Sequence, residues 1–180
     1  MSADVPNEEG QVVEDLLLTD AFLIKGVVEG KFSRLAKVLD AAARDFIAVS
    51  NPVMVDLRRG EVIRTPRVHV NLSELVLAHE LVDGSGDFYQ KSLSELGDEK
   101  TVRIRAFYNG SVGLEISGSV RPLAYERGSL DRNFFVMEEC NVRGLDLKLS
   151  SEFDLVSQLP YAILSRSRIS YLYDFNDVSV

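Results

Sequence analysis

Few side chains in this sequence are suited to chemistry. There are two histidines, His69 and His79, and one cysteine, Cys140. An imidazole can act as a general base or a metal ligand, and either role needs a partner at a defined spacing. His69 lies between Val68 and Val70 in a strand-like run, so alternation turns its ring away from the valines and outward. His79 ends the last apolar run of the first half. Neither has a second histidine at a ligand spacing, and both read as ordinary surface or satisfied histidines. Cys140 stands beside Glu138 and Glu139, whose charges oppose thiolate formation, so it reads as a small buried residue rather than a nucleophile.

Other motifs fail at a definable position. Gly84 and Gly86 are followed by Asp87 and Phe88, where a phosphate-binding loop needs Lys and Ser or Thr. Gly110-Ser-Val-Gly113 has the look of a nucleophile elbow, but it falls at a hairpin with no base nearby. Asp83, Ser85 and Asp87 match the first ligand positions of a calcium loop. Phe88 then occupies the place of its glycine, and Ser94 that of its bidentate glutamate. The sequence therefore predicts no catalytic residue, no cofactor and no metal ion.

Basic residues offer a different chemistry. Arg103 and Arg105 share one face of a strand, as do Arg166 and Arg168, and Arg58, Arg59, Arg64 and Arg67 cluster in the first half. These could contact phosphates, with Tyr108, Tyr125, Tyr161, Tyr171 and Tyr173 as stacking platforms. The arginines have acidic neighbours and the chain has no Trp, so nucleic acid is not the favoured partner. Arg103, Arg105, Arg166 and Arg168 are instead the candidate interaction surface.

The elements that would position these residues are mostly strands. Phe22 and Ile24, like Val102 and Ile104, alternate with polar or small residues, the period of a half-buried sheet. Pro52, Pro66, Pro122 and Pro160 fall at the ends of such runs. One helix is expected, capped by Ser33, with Leu35, Val38, Leu39 and Ala42 on one face. Asn109-Gly110 between two apolar runs predicts a hairpin turn.

The runs recur in order. Gly26 matches Gly118, Phe46 matches Phe134, Asp56-Leu57 matches Asp146-Leu147, and Val76 matches Ile169, at offsets of 88 to 93 residues. This predicts an internal duplication. The expected organisation is a disordered acidic N-terminus (1–11), a first β repeat (12–82), and a linker (83–100) with a short helix over Tyr89 to Leu96. A second β repeat (101–176) follows. The fold class is mainly β: two tandem copies of a small SH3-like or Sm-like barrel, or a curved antiparallel sheet, related by a pseudo-two-fold. Ile24 and Ile116, Phe46 and Phe134, Leu57 and Leu147, and Val76 and Ile169 should be buried at matching sites. Truncating either phenylalanine should then cost about 3–5 kcal/mol.

Composition fits this picture. Of 180 residues, 46% are hydrophobic and 27% charged, the balance of a folded domain. The net charge of −8 sits mainly in residues 1–20, with six acids and no base, and in residues 83–100. A single cysteine, no secretory signal and no long apolar run predict a cytoplasmic protein.

The stretch from Phe22 to Leu81 resembles small bacterial β-barrel-like proteins without an assigned activity. The shared outline is a strand ending in Gly26, a helix from Arg34-Leu35 to Leu39-Asp40, then Phe46-Ile47 and β runs from Val68 to Leu77. The resemblance implies a fold type and no activity. The functional expectation is a non-enzymatic protein–protein interaction or scaffold module, with other proteins as partners, homo-oligomeric through sheet edges. An Sm-like nucleic-acid-associated protein is the alternative, and a small-molecule sensor with a pocket between the copies is the third reading.

Overall fold

The computed structural model describes residues 14–31, 34–40, 44–81, 101–126, 133–146 and 151–175. The expected N-terminal tail, the 83–100 linker and its short helix, the Ser33 cap, Ala42 and Leu147 lie outside these residues. The elements are β1 (Asp15–Thr19), β2 (Phe22–Val28), α1 (Leu35–Asp40), β3 (Phe46–Asp56), β4 (Val62–Arg64), β5 (Arg67–Asn71) and β6 (Leu75–Glu80). They continue with β7 (Val102–Asn109), β8 (Gly113–Val120), β9 (Phe134–Arg143), β10 (Gln158–Ser165) and β11 (Tyr171–Asp174). Short 3-10 turns precede β6 and β10.

All the strands join one antiparallel sheet, in the order β11-β7-β8-β9-β10-β6-β1-β2-β3-β4, with β5 also on β3. The chain is thus mainly β. The sheet does not close, so neither half is a barrel: β11 ends one side and β4 with β5 the other.

Why the middle of the sheet holds follows from its sequence. Most strands alternate buried and less buried residues, but every residue of β1 (DLLLT) and of β6 (LVLAHE) is buried. Such continuous burial requires a core on each face. Leu17 and Ala78 belong to a core with Ile24, Leu35, Leu39, Ile47 and Val70, completed by Phe134, Tyr161 and Ile163 from the other half. Leu16, Leu18 and Leu77 belong to a core with Ile104, Ile116, Met137, Phe153 and Leu164. β1 and β6 are therefore a wall common to both cores. β10 joins this wall through Ile163 opposite Ala78 and Leu164 opposite Leu77.

The two halves pair their strands in the same way. The first runs β6-β1-β2-β3 and then β4/β5; the second runs β11-β7-β8-β9-β10. Gly26 lies opposite Asp15, which lies opposite Glu80; Gly118 lies opposite Ile104, which lies opposite Asp174. Pairing between β2 and β3 slips at Gly26, and that between β8 and β9 slips at Gly118. The residues with left-handed backbone in the facing strands are Asn51 (φ 47°) and Glu139 (φ 49°). Pro66, whose carbonyl accepts from Asn51 N–H at 2.9 Å, separates β4 from β5, and Pro160 sits at the same register in β10. By this register His69 corresponds to Ile163, and His79 to Tyr173.

Glycine is needed at both slips because the facing backbone comes too close for a side chain. A Cβ on Gly26 would lie 2.7 Å from Val49 Cγ1 and 3.0 Å from Ser50 O; on Gly118 it would lie 2.5 Å from Glu138 O.

Several expectations need correction. No pseudo-two-fold relates the halves, since a two-fold joins like to like, whereas the junction joins β6 to the unlike β10. Ile24, Ile116, Val76 and Phe134 are buried, but Phe46 is 52% exposed against 6% for Phe134. Phe134 packs into the first core, whereas Phe46, at the matching start of β3, reaches neither core. Leu57 and Ile169 are only partly buried. The hairpin expected at Asn109-Gly110 does form between β7 and β8, but Asn109 pairs with Gly113 across a three-residue loop rather than a two-residue turn. Asp20 holds that loop by accepting from Ser111 N–H at 2.7 Å.

In urea melts, Phe134→Ala is expected to cost about 3–5 kcal/mol, and Phe46→Ala no more than about 0.5 kcal/mol in the monomer. Equal losses would contradict the packing described. Gly118→Ala should cost about 1–3 kcal/mol through overpacking.

Candidate functional site

The sheet divides the four candidate arginines. Arg103 and Arg105 lie on the outer side of β7, beside aromatic rings from β11 and its end. The Arg105 guanidinium is 5.8 Å from the rings of Tyr173 and Phe175, and that of Arg103 is 6.0 Å from Phe175. Arg105 Nε also lies 3.1 Å from Glu115 Oε1. Arg166 and Arg168 belong elsewhere. Arg166 turns inward, donating to Ala124 O at 2.9 and 2.6 Å, with Phe135 5.6 Å away. Arg168 faces Asp20 at 4.0 Å and Glu74 at 3.9 Å. Arg166 and Arg168 thus have partners different from those of Arg103 and Arg105.

In the first-half cluster, the Arg58 and Arg59 amides donate to Asp56 Oδ1 at 2.8 and 2.9 Å, and these bonds hold the Asp56 carboxyl below its ordinary range. Arg67 pairs with Glu29, which also accepts from Ser50 Oγ at 2.6 Å.

His69 is exposed on β5, as the alternation predicts. His79 is not a surface residue. It is buried with its ring 4.5 Å from that of Tyr161, and its Nδ1 has no hydrogen-bond partner. Burial pushes its pKa down, so the neutral imidazole is favoured. Cys140 is buried, and desolvation pushes its thiol up to about 12, far from the thiolate that a nucleophile needs. Among the described residues no three His, Cys, Asp or Glu side chains converge as a metal site.

The sequence reading missed a buried charged cluster at the shared wall. Asp15 and Glu80 are Cα partners across β1 and β6, both buried. Asp15 accepts from Lys31 Nζ at 2.6 Å and from Val28 N–H at 3.0 Å. Glu80 accepts from Leu35 N–H at 2.8 Å and lies 3.6 Å from Lys31 Nζ and 3.4 Å from Arg34 Nη1. Burial is the largest influence on Asp15 and raises its pKa to about 6, against the Lys31 hydrogen bond and charge and the Val28 amide. Because Glu80 takes a free amide at the start of α1, the cluster anchors that helix to the wall. Ile104 stands at the matching position of the second half, so the charges serve one half only. Asp15 was only counted among the acids of residues 1–20; its place at the head of an unbroken leucine run was the available signal.

An open cleft lined by Phe107, Asn109, Gly113, Leu114, Glu115, Arg143 and Gly144 lies wholly within the second half. The pocket expected between the copies is therefore not at this cleft.

The two ends of the sheet carry the remaining candidate surface. At one end Val62 (49% exposed) and Ile63 lie on β4 beside the last residues of β3, and Phe46 lies at the opposite end of β3 beside β5; at the other Tyr171 (67%) and Tyr173 lie on β11. Hydrogen-bond phase shows which backbone groups are free there. Phe175 N–H donates to Arg103 O at 2.9 Å and Leu72 N–H to Asp45 O at 2.8 Å. In an antiparallel ladder alternate residues point the other way. The N–H and C=O groups of Leu172 and of His69 therefore point away from the sheet.

The buried acid gives a signed expectation. Between pH 3.8 and about 6 the folded protein holds a proton on Asp15 that the unfolded chain has released. Stability from this group is thus greatest below pH 4 and falls as pH rises, by on the order of 3 kcal/mol. Urea melts of wild type relative to Asp15→Asn from pH 4 to pH 7 should show that decline; a flat or rising difference contradicts it. Lys31→Met, which leaves the buried Asp15 without its cation, should cost about 3 kcal/mol at pH 7.

No protein-family model, curated protein or solved structure matches the chain, so its function is read from its own geometry.

Proposed function

We propose that the chain is a non-enzymatic protein–protein interaction module, built by duplication of one five-stranded motif, that engages other chains by strand addition at its sheet edges. The observation that carries this reading is the pair of sheet ends left unpaired among the described residues, each with outward backbone groups and exposed apolar side chains. An unpaired edge is a template for another strand, with main-chain hydrogen bonds supplying affinity and flanking side chains supplying selectivity. The duplication is supported by the matching strand order, the glycines at both slips, the left-handed residues opposite them, and the matched prolines. Among the described residues no helix is long and apolar enough to cross a membrane.

The Sm-like nucleic-acid reading keeps one observation in its favour: Arg103 and Arg105 over the rings of Tyr173 and Phe175. Cation and ring together suit a stacked base. Binding to single-stranded oligonucleotides that weakens with salt and is lost in Arg103→Ala/Arg105→Ala would favour it.

Strand addition is tested by selecting displayed peptides on protein immobilised sparsely enough to remain monomeric. Enriched peptides should be extended and should lose at least about tenfold in affinity when the outward amide of an edge residue is removed. Failure to enrich, or binding indifferent to the edges, contradicts the reading.

A further inference from the structure

The junction inside the chain specifies what its two free edges fit. β10 has β9 on one side and β6 on the other; β5, in the same register on β3, has β3 alone among the described residues. β6 has β1 on one side and β10 on the other; β11, in the same register on β7, has β7 alone. Among the described residues, each chain therefore joins one pair of these edges internally and leaves the other pair open.

The hydrogen-bond phase of the open edges agrees with that of the closed ones. Leu81 N–H donates to Glu14 O and Arg166 N–H to Asn133 O, which turns the backbone groups of Ala78 and Ile163 toward each other at the junction. Transferred by register, Ala78 becomes Leu172 and Ile163 becomes His69, the two residues whose backbone groups already point outward. Side chains agree as well. Phe134 is buried because the junction sets it against the neighbouring core, and Phe46, its counterpart, is exposed. Tyr161 contacts Glu80 across the junction, and their counterparts Arg67 and Asp174 carry opposite charge.

We propose that the occupant of the free edges is a second copy of this chain. β5 of one copy pairs antiparallel with β11 of the next, His69 opposite Leu172 and Val70 opposite Tyr171, repeating the internal junction between molecules. This rests on the reading of the edges as docking edges and adds their occupant. The contact is heterologous, so copies join head to tail into a closed ring or an open chain.

The test uses the full chain and two proline variants, each removing an outward amide that makes no bond within its own sheet. Sedimentation velocity of wild type should give a mass at least twice the 20.0 kDa of the monomer. Leu172→Pro and His69→Pro should each run as monomers. Mixed in equal amounts they should form a one-to-one complex and nothing larger, because each supplies the edge that the other lacks. Complex formation also establishes that both variants are folded. Tyr171→Lys, at an exposed position, should behave as Leu172→Pro does. A wild type that stays monomeric at high concentration, variants that still self-associate, or a mixture without a complex would overturn the proposal. If wild type is monomeric while edge-dependent peptides bind, strand addition stands and the second copy does not.

Discussion

The pairing of β6 with β10 is the contact on which the rest of the molecule depends. It is short, with two residue pairs, yet it places Phe134, Tyr161 and Ile163 in the core that underlies α1. The same wall sends Leu16, Leu18 and Leu77 into the opposite core. A unit of about 70 residues has a marginal core alone; here each core is completed by side chains from the other half. Asp20 reinforces the arrangement by holding the loop after β7 from the turn after β1. The buried Asp15 and Glu80, with the half-buried Lys31, then lock α1 to this wall at an electrostatic cost, which is why burial outweighs Lys31 in setting the Asp15 pKa.

Register makes the difference between the occupied and open edges legible. Where the junction has Ile163 and Tyr161, the open edge has His69 and Arg67; where it has Leu77 and Ala78, the open edge has Tyr171 and Leu172. Charged and amphipathic side chains, together with the interruption at Pro66, restrain indiscriminate pairing at an edge that must stay soluble. On the proposed strand addition, they leave the backbone free to accept a strand of the right register.

Local features were readable from the sequence and long-range ones were not. Gly26 and Gly118, Pro66, and the alternation in β2 and β7 express local backbone demands, whereas Pro52 and Pro160, expected at the ends of runs, lie inside β3 and β10. Phe46 was misread because its pattern equals that of Phe134, while its burial depends on which edge has a neighbour. His79 was misread for a related reason: a polar residue on a strand end reads as exposed unless both faces of that strand are known to be covered. The openness of the sheet is a property of strand order, which no local run encodes. Of the candidate arginines, Arg103 and Arg105 share a face because they share a strand. Arg166 and Arg168 share a spacing but lie beyond the end of β10, where chain direction overrides alternation.

Amide hydrogen exchange read residue by residue tests the account most directly, since it reports the junction and the edges in one experiment. The account predicts that Ala78 and Ile163 exchange only through global unfolding at any protein concentration. His69 and Leu172 should exchange rapidly in dilute solution and become protected together as concentration rises. Rapid exchange at Ala78 and Ile163, or protection of His69 and Leu172 that is independent of concentration, would contradict it.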